Sequence, residues 1–178
     1  MATGTVFQVQ LITGYVAWAL CFGIYIAPWL KSLGRPGAFR AIAALHSFRF
    51  FGLAFIVPGV TGVGLPGSFS MFAAIGDVAT AALAMLALIS FRSRPLFWTF
   101  VVAFNVVGAG DLLLDYYHAI QGHLPEHAGE LGAMYAIPIL YVPALMISHV
   151  LAFYWLLRGA PSVDRSGHVV PAGLVRDS

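Results

Sequence analysis

The chain has 178 residues, of which 60% are hydrophobic and 9% are charged, and its mean hydropathy is +0.88. A soluble domain carries about 25% charged residues, so this composition excludes a soluble enzyme, and a net charge of +2 is no signature of nucleic-acid binding. The single cysteine, Cys21, excludes an internal disulfide and any CxxC metal or redox motif.

A bilayer core about 30 Å thick needs about 20 apolar residues per helix. Five segments meet that length, and they predict an all-α fold, a five-helix transmembrane bundle over residues 1–159. Helix 1 runs from Val6 to Leu30. The N-terminus before it lacks a basic stretch, so helix 1 is read as a retained span and not as a signal peptide. Gly34-Arg35-Pro36-Gly37 reads as the first loop. Helix 2 runs from Ala41 to Gly59 and helix 3 from Phe69 to Phe91, joined by Gly62-Val63-Gly64-Leu65-Pro66-Gly67. Arg92-Ser93-Arg94-Pro95 precedes helix 4, Leu96 to Ala119, with Pro95 suited to a helix start. The loop from Gln121 to Gly132 is long enough to hold structure of its own. Helix 5 runs from Ala133 to Leu157, with Pro138 and Pro143 inside it. Residues 160–178 read as a disordered cytoplasmic tail.

Cytoplasmic loops collect Lys and Arg. Lys31, Arg35 and Arg40 lie in the first loop, Arg92 and Arg94 in the third, and Arg158, Arg165 and Arg176 follow helix 5. The second and fourth loops have neither residue. This alternation predicts the N-terminus outside and the C-terminus in the cytoplasm.

The ninth basic residue, Arg49, lies inside helix 2. At about 1.5 Å of rise per residue it falls near the middle of the membrane, and so do Asp77 of helix 3 and Asn105 of helix 4. An arginine at that depth costs about 2.5–3.5 kcal/mol on insertion scales, which a carboxylate partner and an amide acceptor would offset. Small residues around Asp77 (Ala73, Ala74, Gly76, Thr80, Ala81) would let the helices approach closely. The pair then either fixes helix register alone or forms a polar ligand-binding site with Asn105, Asp111 and Tyr135. In that reading Arg49 holds an anionic or carbonyl group, Asp77 is its counter-ion, and Tyr135 is the partner of Asp111.

Two further groups bear chemistry. His46 and His149 share one depth on different helices, as two metal ligands or the axial ligands of a haem would, or else each makes one interhelical hydrogen bond. Asp111, Asp115 and His118 share one face of helix 4. With His123, Glu126, His127 and Glu130 they would suit Zn²⁺, Mn²⁺ or iron, or form only a solvated acidic loop.

The string Arg49 with Gly52, Leu65-Pro66 with Phe69, Gly76-Asp77, Asp111-Leu112 and Val142-Pro143 with His149 resembles a widespread group of small bacterial multi-span inner-membrane proteins. The resemblance covers helices 2 to 5. It implies a bacterial inner membrane and points to Arg49, Asp77, Asp111 and His149, without an activity. Three functions compete: binding or transport of a small solute or proton by a homo-oligomer in the bilayer, a haem or metal redox protein, and an accessory subunit of a larger membrane complex. There is no GxxxxGK[ST], GxSxG or HExxH motif to make it a kinase or hydrolase.

Overall fold

The structure is a computed structural model and describes residues 2–158 with 162–163 and 169–170. It is all-helical in plan, and among the described residues five helices are long and apolar enough to cross a membrane. They are α1 (Thr3–Ser32), α2 (Gly34–Ile56), α3 (Gly67–Ile89), α4 (Arg94–Gln121) and α5 (Ile137–Arg158). Helices suit the task because, in lipid, every backbone N–H and C=O must be satisfied within its own segment. The expected tail falls outside the described residues, except for a two-residue antiparallel pairing of Ser162 with Val170 and Val163 with Val169.

The expected first loop is instead the opening turn of α2. Gly34 alone makes the corner, at φ 67°, and Pro36 sits in the first turn, where its missing N–H leaves no helical bond unmade. The turn between α3 and α4 is a short 3₁₀ segment, Ser90–Arg92, and Pro95 opens α4 as expected. Arginines close this end of the bundle: Arg35 stacks over Trp98 at 4.9 Å and Arg40 over Phe91 at 4.0 Å. It is called the basic end below.

The other end carries the longer connections and is called the loop end. Residues 122–136 hold a 3₁₀ segment, Ala128–Tyr135, with a break at Gly132. The segment is pinned to the connection between α2 and α3. Gly62 N–H donates to the Glu130 carbonyl at 2.7 Å, and Gly64 N–H donates to the Glu130 side chain at 3.1 Å.

Three helices depart from α geometry. α1 widens to a π-turn at Phe22–Ile26, just before Pro28, and α5 begins with one at Ile137–Tyr141, just before Pro143. A proline cannot donate to the carbonyl four residues back, and for Pro143 that carbonyl belongs to Ile139. It lies against Gly14 of α1, where a Cβ would overlap it. A small residue there lets α1 dock on the distorted part of α5. The third departure is in α2, which tightens to 3₁₀ over Phe48–Ile56. There residues three apart eclipse one another, so Arg49, Gly52 and Phe55 form one inward line, and all three are buried.

Two apolar cores result. At the basic end Phe39, Phe97, Phe104 and Trp155 interleave with alanines of α2, α3 and α5. At the loop end Phe7, Phe55, Phe69, Leu131 and Met134 form the second core, around an open space.

Candidate functional site

Between the two cores lies Arg49, which is 0% exposed. Its guanidinium binds two other helices at once. Nε donates to Asp77 Oδ1 of α3 at 2.6 Å, Nη1 to the Gly108 carbonyl of α4 at 3.1 Å, and Nη2 to Asp111 Oδ2 of α4. One cation is thus balanced by two carboxylates, which is the condition under which a buried charge can be held in hydrocarbon.

Glycines make the space for it. A Cβ on Gly52 would overlap the Asp77 carboxylate, and one on Gly76 would overlap that of Asp111. At Gly108 it would stand 2.8 Å from Arg49 Nη1 and 2.7 Å from His149 Nε2. Each glycine therefore faces a charged group donated by another helix. The expected small-residue face around Asp77 is real, but its function is to admit side-chain ions as much as backbones.

The expected Arg49–Asp77 pair is present, with three corrections to the set around it. Asp111 is bound by Arg49 and not by Tyr135, whose hydroxyl donates to Gln10 Oε1 of α1 at 2.5 Å. Tyr135 ends the 3₁₀ segment at the loop end, too far along the bundle to reach the ion network. Asn105 does not receive Arg49. Its amide donates to the Val101 carbonyl at 2.8 Å, and its oxygen meets His149 Nδ1 at 2.9 Å. The carbonyl of Gly108, one turn further along α4, takes the place expected for Asn105. Finally, Arg49 has no exposed atom to offer a solute, so it organises the site without lining it.

His46 and His149 do come together: their rings lie with centroids 4.1 Å apart and planes tilted by 36°. Ser148 Oγ donates to the Leu145 carbonyl, so it accepts from His46 Nε2–H at 2.9 Å. Asn105 Oδ1 accepts from His149 Nδ1–H. The remaining nitrogens, His46 Nδ1 and His149 Nε2, are buried acceptors with no partner among the described residues. Each ring makes one interhelical hydrogen bond, and the Arg49 guanidinium lies beside His149 Nε2.

The anticipated cluster on α4 disperses. Asp111 turns to Arg49. His118 stacks on Phe72 of α3, centroids 4.5 Å apart. His123 and Glu126 form an exposed pair at 4.0 Å, and Glu130 holds the α2–α3 connection. Among the described residues, no three His, Cys, Asp or Glu side chains converge as metal ligands.

Asp115 has a different position from any of these. It lines a cavity of about 540 Å³ at the loop end, between α1, α3, α4, α5 and residues 123–126. The walls are largely apolar, with Phe7, Phe55, Phe69 and Leu112 among them, and Tyr116 and Tyr141 contribute hydroxyls. Asp77 forms part of the floor. The tyrosines are held in place: Tyr116 shares a 2.5 Å hydrogen bond with Tyr15 of α1, and Tyr141 donates to the Leu45 carbonyl at 3.2 Å, where α2 tightens. Asp115 Oδ1 is buried with no hydrogen-bond partner among the described residues. Among the described residues, no lysine or arginine lines the cavity. Sequence spacing put Asp115 on one face of α4 with Asp111 and His118. Nothing in the sequence placed α1 as the cavity's outer wall.

A family model described as a domain of unknown function, DUF8737, matches residues 6–157, and the chain belongs to that family. No curated protein and no solved structure matches the chain.

Proposed function

We propose that the chain is a multi-span protein of a bacterial inner membrane that binds a small, mainly apolar solute in the cavity at the loop end. The observation that carries this reading is the cavity itself. Its volume lies within the range of about 300–1,000 Å³ typical of small-molecule sites, and it combines apolar walls with a few convergent polar groups, as such sites do. The arginine network below it acts as a rigid floor.

Orientation follows from charge. Lys31, Arg35, Arg40, Arg92, Arg94 and Arg158 all belong to the basic end, and the loop-end connections carry no Lys or Arg. The basic end is then cytoplasmic, and the cavity belongs to the outer half. A green fluorescent reporter fused to the C-terminus should fluoresce; a dark fusion with normal expression would reverse the orientation. The aromatic core at the basic end lies beyond the arginine network, and this arrangement is read as a binding state. Transport would need the alanine-lined helices of that core to part. A homo-oligomer or a larger complex would use the lipid-exposed faces.

Photolabelling tests the reading. A neutral phenylalkyl diazirine, applied to the purified protein in nanodiscs, should label Phe69, Leu112 and their neighbours. Ala73→Phe fills the space and should abolish that labelling. Labels confined to lipid-facing residues, unaffected by Ala73→Phe, would overturn it.

A further inference from the structure

We infer that the solute held in this cavity carries a cationic amine, received by the free carboxyl oxygen of Asp115. The inference rests on the binding reading above and names the ligand's chemical class. Four observations converge on it. Asp115 Oδ1 is buried with no partner among the described residues, and the side chain that carries it lines the cavity. Burying such an oxygen without a donor is costly, and a bound amine supplies the donor. The acids lining the space are Asp77, Asp115 and Glu126, with His123 beside Glu126 and, among the described residues, no lysine or arginine in the lining to oppose a cation.

The third observation is the distribution of charge. Arg49 already serves Asp77 and Asp111. Asp115, one turn beyond Asp111 on the same face of α4, is a third acid, with no cation within bonding distance among the described residues. An anionic solute would face three acids, because the Arg49 guanidinium is sealed behind Asp77 and Asp111. The fourth is aromatic: Phe7, Phe55, Phe69, Tyr116 and Tyr141 surround the space, and ring faces attract ammonium groups. The apolar volume takes the body of the molecule. Asp115 lies six residues before the end of α4 at Gln121, about 9 Å along the axis. An amphipath entering from the loop end therefore meets this carboxyl while its tail lies among the phenylalanines.

Competition against the neutral photolabel tests the class. The competitors are phenylbutylamine, phenylbutanol, phenylbutanone and phenylbutyrate, which share one body. The amine should protect at concentrations about tenfold to a hundredfold lower than the others, the range expected of a charge-assisted hydrogen bond. Asp115→Asn should bring the amine to the level of the alcohol, and Asp115→Glu should keep its advantage. Unchanged labelling of both variants by the neutral probe shows that the cavity is intact. Equal protection by all four compounds, as a lipid tail in the cavity would give, overturns the inference and leaves the binding reading standing. Preference for the ketone or the acid also overturns it. Failure of the neutral label itself removes both. Repeating the amine titration in phosphatidylglycerol bilayers with and without phosphatidylethanolamine identifies the source: competition by the latter means a lipid amine, and no competition a free one.

Discussion

At the basic end, Phe39, Phe97, Phe104 and Trp155 fill the gaps between helices whose facing residues are Ala38, Ala43, Ala84, Ala87 and Ala152. At the loop end, Phe7, Phe55 and Phe69 stand around about 540 Å³ of open space. Both regions are rich in phenylalanine, so hydrophobicity does not separate them. The course of α2 and α5 does. Around the basic-end core these two helices keep α geometry and their small residues let them close, while the π-turn of α1 at Phe22–Ile26 lies at its edge. At the loop end α2 has become 3₁₀, α5 begins with a π-turn, and residues 122–136 form an irregular cap. There the departures of α2 and α5 from α geometry re-aim the side chains that would otherwise close the space. The arginine network lies where one regime gives way to the other.

Arg49→Met should have the largest effect. It leaves Asp77 and Asp111 buried without their cation, and removing one partner of such a network costs about 3–5 kcal/mol. Thermal unfolding in detergent should show the loss. A variant that melts like the parent would mean that the two halves do not depend on the junction. Trp155→Ala should cost a comparable amount, about 3–5 kcal/mol, through the void it leaves. Unlike Arg49→Met, it should leave photolabelling of the loop-end cavity intact in the cold. Loss of labelling there would show the halves to be one unit. Gly76→Ala pushes a methyl into the Asp111 carboxylate, and overpacking of this kind costs about 1–3 kcal/mol. An alanine placed at Gly23, which meets no neighbour, is the control, and equal melting of the two would remove the argument from close approach. Ala73→Phe should be the mildest for stability, neutral or slightly stabilising, since it fills space, while it removes binding.

Much of this was legible in the chain. Apolar runs of sufficient length marked the five helices, and misjudged boundaries were mostly at their ends. Gly34 to Gly37 read as a loop because glycine and proline usually punctuate helices, yet Pro36 fits a first turn. Arg49 and Asp77 could be paired by counting residues, since rise along a helix converts position into depth. That counting gives depth only. It correctly placed Asn105 near the arginine's level but could not say that its amide faces His149. It gave His46 and His149 one depth, but not that their rings lie against one another.

Hydropathy, turn residues and the spacing of basic residues therefore determined the helical class, the number of segments able to cross a membrane, and the isolation of one arginine inside them, because these are properties of each segment alone. Which way each helix turns about its axis was decided by the tertiary structure. Rotation depends on contacts between segments far apart in sequence: Gly52 admitting Asp77, Gly76 admitting Asp111, and Gly14 admitting the Ile139 carbonyl. Those contacts set which polar groups meet, and they left Asp115 facing an open cavity with a carboxyl oxygen unmatched.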